Sequence, residues 1–306
     1  MTMSTKHLIV IVGPTGSGKS DLAVEIAEWY GAPIISTDSR QFYRGIPIGT
    51  AQPDEEQLRR AEHHFIASHN LEDEFNCGAY EVAALAKLKE LYEQHDVVVA
   101  VGGSGLYIKA LCEGMDSLPE ADPALREQLA KRLQTEGLEA LCEELKERDR
   151  EFYDQVDRNN PARILRALEV CITTGLPYSS LRTGVKHQRD FNIIKIGVDM
   201  EREILYKRID GRVHKMIEMG LEAEARAVYH LRHLNSLQTV GYREMFEYFD
   251  GDITLNEAIE LIQRNSRRYA KRQMTWFRRD GEIWWVNPAD KQAIKQYLGS
   301  KICTLK

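Results

Sequence analysis

Leu8-Ile9-Val10-Ile11-Val12-Gly13-Pro14-Thr15-Gly16-Ser17-Gly18-Lys19-Ser20 is the stretch on which the fold turns. Its first five residues are an unbroken apolar, β-rich run, the pattern of a strand buried on both faces of a parallel sheet. Its last eight match G-x-x-x-x-G-K-[ST] without a mismatch, with a buried strand before and a helical pattern after. That pattern places Leu22, Ala23, Ile26 and Ala27 on one face of a helix over Lys19–Tyr30, stopped by Gly31. In such a loop, glycines let backbone N–H groups turn inward around phosphate oxygens, and the helix N-terminus adds a favourable field. Lys19 would neutralise phosphate charge and the Ser20 hydroxyl would help hold Mg²⁺, with Gly13, Pro14, Thr15, Gly16, Ser17 and Gly18 as the cradle. An ordinary glycine turn is the competing explanation, and the strand–loop–helix context argues against it. The motif specifies a phosphorylated ligand without saying which.

Working outward, residues 33–36 read as a second short strand and residues 38–53 as a loop rich in Gly, Pro, Arg and Gln. Residues 80–94 form a helical pattern, and 97–101 another buried strand ending at Gly102-Gly103. Strands alternating with helices predict an α/β fold, a P-loop NTPase-like parallel sheet flanked by helices. The rhythm stops near Pro119. Residues 119–157 hold twelve acids and six bases in helical periodicity, with no strand candidate. A helix over Pro161–Thr174 ends at Gly175, and 191–198 reads as a returning core strand. The expected organisation is therefore a core of residues 1–118 and 191–306 interrupted by a helical insertion, 119–190. Beyond 198 the pattern is mostly helical, with Asp199 expected to cap a helix from Glu201. The chain closes with a long basic helix and the segment Trp284-Trp285-Val286.

The chain has 306 residues, 43% of them apolar and 29% charged, enough to bury a sizeable core. At about 150 residues per domain this suggests two units, or one with an insertion. No apolar run approaches the ~18 residues needed to span a bilayer. The apolar run of residues 8–12 is also too short for a signal peptide. The five cysteines (Cys77, Cys112, Cys142, Cys171, Cys303) are widely spaced with no C-x-x-C pair. Reduced, mostly buried thiols in a cytoplasmic protein fit this better than a disulfide framework or a zinc site.

Lys plus Arg is 41 and Asp plus Glu 47, a net charge of -6 that excludes a generally basic nucleic-acid coat protein. The average hides an asymmetry. Residues 264–279 carry seven bases and no acid, with Tyr269, Trp276 and Phe277 interleaved. On a helix this is a positive stripe able to track phosphates, the alternative being a solvated basic face with core aromatics.

Hydrolysing and phosphoryl-transferring enzymes with this loop commonly place a metal-holding acid at the end of a neighbouring strand. Here that strand ends in Gly102-Gly103-Ser104, without a carboxylate. Asp38 instead opens a polar loop at the carboxyl end of a strand, where open α/β sheets place ligands. A merely capping or solvated loop aspartate is the alternative.

Several further blocks strongly resemble the bacterial tRNA dimethylallyltransferase family. They are Gly13 to Ser20, Thr37-Asp38-Ser39-Arg40-Gln41-Phe42-Tyr43, Ile48-Gly49-Thr50-Ala51-Gln52-Pro53 and Gly102-Gly103-Ser104-Gly105-Leu106-Tyr107. Arg163 to Val170, Gln238 to Glu244 and Ala270 to Phe277 follow in family order across nearly the whole chain. Ser104 departs from the family's more usual threonine but keeps the hydroxyl.

The resemblance implies transfer of a dimethylallyl group from dimethylallyl diphosphate to N6 of adenosine 37 in a tRNA anticodon stem-loop. It implies Asp38 as catalytic base and Ser104 as a hydroxyl in the same site. Gly13 to Ser20 and Arg212 would bind diphosphate, with Mg²⁺ at Ser20; a solvated helix arginine is the alternative for Arg212. Against tRNA it places Asp38, Ser39, Arg40, Gln41, Ser104, Gly241, Tyr242 and Arg243. The basic helix would add Arg268, Lys271, Arg272, Gln273 and Trp276, and the insertion Arg126, Arg163 and Arg166. The target base would leave its stack to be reached. No membrane and no obligate protein partner is implied.

Two other classes compete. A small-molecule kinase using ATP at the same loop is disfavoured by the missing strand-end acid and by the basic stripe. A nucleotide-switched RNA-binding module leaves the Asp38 loop without a role.

Overall fold

The apolar run near the head of the chain forms β1 (His7–Val12), with every residue buried. Alternation makes this possible, since Leu8, Val10 and Val12 enter one core while Ile9 and Ile11 enter another on the opposite face. The computed structural model in which this is seen describes residues 6–119 and 122–303, without the side chain of Cys303. α1 (Lys19–Tyr30) packs Leu22, Ala23, Ile26 and Ala27 into the core that holds Ile9 and Ile11. It ends where Gly31 turns left-handed (φ +58°) and its N–H closes on the carbonyls of Ala27 and Glu28.

β2 (Ile34–Ser36) follows. The region expected to be all loop contains α2 (Pro47–Thr50), a single turn opened by proline. Beyond it lie α3 (Glu55–Arg60), started by an Asp54–Gln57 capping box, and β3 (His63–His64). Both are too short for a hydrophobic period to reveal. α4 (Cys77–Leu91) begins earlier than its apolar pattern because the Asn76 side chain accepts from the Gly78 and Ala79 amides. β4 (Val97–Gly102) and α5 (Gly105–Glu113) come next.

Residues 113–187 cluster as one compact unit. It comprises α6 (Pro123–Arg148), broken at Gly137 (φ +85°), α7 (Arg150–Gln155), α8 (Pro161–Thr174) and α9 (Tyr178–Leu181). Leu141, Leu145, Phe152, Ile164 and Leu168 form its core. Each of α6, α7 and α8 starts on an Asp or Asn whose side chain accepts from first-turn amides.

The other unit holds the residues up to Cys112 and those from Gln188 onward. Its second part runs β5 (Asn192–Val198), α10 (Arg202–Glu218), α11 (Leu221–Val228), α12 (Tyr242–Asp250), α13 (Leu255–Phe277), β6 (Trp284–Val286) and α14 (Lys291–Cys303). The tryptophan pair is thus an edge strand, and a further helix follows it. The expected cap at Asp199 is not made. Its Oδ1 accepts from the Met200 amide, and α10 starts at Arg202 with Glu201 in the cap position making no side-chain cap.

The sheet has six strands in the order β3-β2-β4-β1-β5-β6, every pairing parallel. The chain leaves β1 toward β2 on one side and returns from β4 to β5 on the other. The carboxyl ends of β1, β2 and β4 therefore emerge beside a reversal of strand order, where open α/β sheets form a ligand crevice. Among the described residues no helix is long and apolar enough to cross a membrane. Cys112, Cys142 and Cys171 are buried and Cys77 half-buried, none in a disulfide; the Cys303 side chain lies outside the described part.

Candidate active site

The loop Gly13 to Ser20 joins β1 to α1, as strand, turn and helix require. Gly16 (φ +82°) and Gly18 (φ +85°) hold left-handed backbone, and a Cβ on Gly16 would sit 2.9 Å from Ile209 Cγ1. The Ser17 hydroxyl is buried without a hydrogen-bond partner, an orphaned polar atom of the kind a bound ligand satisfies. Among the described residues, Lys19 Nζ donates only to the Pro14 carbonyl, at 3.4 Å. Burial pulls the Lys19 ammonium down to about 8, against the opposing pull of Asp38, and Arg212 lowers it further. Arg212, from α10, donates to Thr15 Oγ1 at 3.3 Å, and burial holds it below the ordinary arginine range.

Asp38 stands beyond β2, its Oδ1 accepting from the Arg40 amide at 3.1 Å. Ser104, beyond β4, is 9% exposed and accepts from the Ser39 amide at 3.0 Å while donating to Ser39 Oγ at 3.1 Å. Tyr269 lines the same cavity as Asp38, and burial pushes its hydroxyl up to about 12. Gly102 and Gly103 make this convergence possible. A Cβ on Gly102 would collide with Thr37 Oγ1, and one on Gly103 with Gln273 Nε2.

Two openings meet here. A cavity of about 310 Å³ is lined by Asp38, Arg40, Tyr269 and Arg272 against an apolar wall of Ile209, Val213, Val240 and Ile262. A second, of about 560 Å³, is lined by Gly16, Gly18, Lys19 and Ser20, with Arg208 and Lys215. Ala51, Arg212 and Met216 line both. One side offers phosphate-binding groups and the other a carboxylate beside aromatic and basic side chains.

Two residues expected against RNA have buried side chains with partners inside the protein. Tyr242 is fully buried, its hydroxyl donating to Glu224 Oε1 (2.5 Å) and to the Ile46 carbonyl. Gln273 is buried under the phosphate loop, Oε1 accepting from the Thr15 amide at 2.8 Å and Nε2 donating to the Gly103 carbonyl at 2.9 Å. It recurs in helical register with the buried residues Ile262, Ala270 and Phe277 of α13, a signal present in the sequence.

Others have internal partners. Arg40 donates to the carbonyls of Asn235 and Ser236, and Gln41 Nε2 to that of Ala51. Arg126 and Arg166 both pair with the buried Glu169. Arg163 is exposed in the first turn of α8. Arg268, Lys271, Arg272 and Trp276 are exposed on α13, and Arg243 is exposed at the start of α12 below Gly241 (φ +103°). Glu224, Ser266 and Met216 were not singled out in the sequence because no local pattern marks them.

Comparisons with known proteins bear on this geometry. A family profile described as IPP transferase matches residues 41–280. A tRNA dimethylallyltransferase of Porphyromonas gingivalis is 52% identical over 288 residues, covering 94% of this chain and 96% of that protein. One from Bacteroides fragilis is 48% identical over 300 residues, covering 98% of this chain and all of the relative. Among solved structures, a tRNA isopentenylpyrophosphate transferase from Bacillus halodurans superposes with TM-score 0.72 at 35% identity, covering 97% of each chain. A eukaryotic dimethylallyltransferase acting on tRNA reaches TM-score 0.80 at 23% identity, over 94% of this chain and 75% of its own, and speaks for the fold alone.

Proposed function

The chain belongs to the IPP transferase family, and on that premise we propose that it transfers a dimethylallyl group from dimethylallyl diphosphate to N6 of adenosine 37 in tRNA. The observation that carries this is the meeting of two unlike cavities at Arg212, one lined by the phosphate loop and the other by Asp38. A diphosphate on the loop directs the attached allylic carbon toward the base. No γ-phosphate machinery is required, which accounts for the lack of a strand-end acid after β4.

In this reading the bond from the allylic carbon to the diphosphate oxygen breaks and its electron pair leaves with the diphosphate. Lys19, Arg212 and the loop amides meet that charge where it develops. The same carbon forms a bond to N6. The adenine amino group is a weak nucleophile, its lone pair delocalised into the ring, so Asp38 accepts the N6 proton as the bond forms. Ser104 holds the Asp38 loop through Ser39.

Ser20 lines the phosphate-side cavity, and its hydroxyl together with substrate oxygens would suit a hard cation. Mg²⁺ held there would neutralise charge on the diphosphate. The anticodon stem-loop fits the exposed face of Arg268, Lys271, Arg272 and Trp276, and a tRNA substrate implies work in the cytoplasm.

The test is an incubation of unmodified tRNA with labelled dimethylallyl diphosphate and Mg²⁺, alongside one with ATP. Label on adenosine is expected. Phosphate transfer from ATP without prenylation would overturn the proposal.

A further inference from the structure

We propose that Ala51 and Met216 form a ruler that limits the transferred allylic group to five carbons, an inference that rests on the allyl-transfer reading above. The phosphate-side and Asp38-side cavities have three lining residues in common, Ala51, Arg212 and Met216. Arg212 is a cation bonded to the phosphate loop through Thr15, and its charge suits it to the diphosphate rather than to an apolar chain. The other two shared residues, Ala51 and Met216, are apolar and border both cavities, so an allylic chain joined to that diphosphate and reaching the Asp38 side runs alongside them.

The two differ in stiffness. Ala51 is a non-glycine residue in left-handed backbone (φ +49°), a conformation that persists only where neighbours hold it. Its amide donates to the Ile48 carbonyl at 3.0 Å, and its carbonyl accepts from Gln41 Nε2 at 2.7 Å. Upstream, Glu224 accepts from the Ile48 and Gly49 amides at 2.8 Å each and from the Tyr242 hydroxyl. Ala51 is thus a fixed wall. Met216 is half-buried on α10, and its unbranched thioether fills whatever gap remains. The length of one side chain against a fixed wall then sets the room for the chain. A single methylene in an apolar pocket changes selectivity by about 10–200-fold, so a second five-carbon unit is strongly rejected.

The experiment compares kcat/KM for dimethylallyl and geranyl diphosphates with unmodified tRNA, in wild type, Met216→Ala and Met216→Leu. Wild type should prefer the five-carbon donor by ~100-fold or more. Met216→Ala should narrow that ratio at least tenfold, mainly through KM for geranyl diphosphate, with ten carbons found on adenosine by mass. Met216→Leu, of similar volume, should keep the wild-type preference. A folded Met216→Ala protein that still transfers five carbons with an unchanged ratio refutes the ruler and leaves the transfer reading intact. A wild type that prenylates nothing overturns both.

Discussion

The helical unit of residues 113–187 and the basic face of α13 both carry many arginines and use them differently. In the helical unit five arginines are neutralised within the protein. Arg126 and Arg166 meet Glu169, Arg132 bridges Glu136 and Glu144, Arg148 also meets Glu144, and Arg150 meets Asp154. In the basic stretch Arg267 and Arg278 pair with Asp210 and Asp199, but among the described residues Arg268, Lys271 and Arg272 form no ion pair; nor do Lys19 and Arg212 beside the phosphate loop, nor Asp38. The difference teaches that availability matters more than density of charge. A paired surface arginine contributes little to stability and must break its pair to meet a phosphate, whereas an unpaired one awaits a ligand.

If Asp38 is held unpaired in order to take a proton, Asp38→Ala should lower turnover by roughly 10²-fold or more while tRNA affinity barely changes. Equal turnover in single-turnover assays removes it from the chemistry. Neutralising Arg268, Lys271 and Arg272 together should weaken tRNA binding by about tenfold or more. It should also reduce the slope of log K against log salt by about 2, at ~0.7 per contact. An unchanged slope in a salt titration means that this face meets something else.

Lys19 sharpens the comparison through pH. Burial has lowered its affinity for a proton, so it becomes neutral as pH rises through about 8. A bound diphosphate favours the charged form. KM for dimethylallyl diphosphate should therefore be flat below that pH and climb above it, by up to about tenfold per unit. Lys19→Arg, which stays charged, should lose the inflection; its persistence in a pH profile assigns it to another group.

The smallest effects belong to the helical unit. Glu169→Ala strips two half-exposed arginines of their buried partner and should cost about 1–3 kcal/mol in thermal denaturation. Arg126→Ala should leave the salt slope of tRNA binding unchanged. A slope reduced by Arg126→Ala as much as by Arg268→Ala would erase the distinction between the two regions.

Legibility in the sequence followed the range of the interactions. β1, the phosphate loop and α1 are local patterns, and the helix over Pro161–Thr174 could be read from its apolar period and its Gly175 stop. α3 and β3 could not, because six and two residues carry no period. At the site, Asp38 and Ser104 stood out as polar residues directly after strands. The burial of Tyr242 and Gln273 was harder to read because each lies beside basic residues in the chain, and neighbours along a helix face different ways. The hold of Glu224 on Ile48 and Gly49 spans 176 and 175 residues, and no pattern in one sequence records such a distance.

The sheet order also has a consequence for how the protein is made. β1 emerges first from a ribosome and carries the phosphate loop, yet on one side it pairs with β4 and on the other with β5. Its second edge stays open until Asn192–Val198 has been synthesised, after the whole of the helical unit. Such long-range parallel pairing is slow, and the open apolar edge is prone to sticking. The helical unit has its own core and can collapse during that wait. Mutations that slow it are therefore expected to lower the yield of soluble enzyme without altering the activity of the molecules that finish.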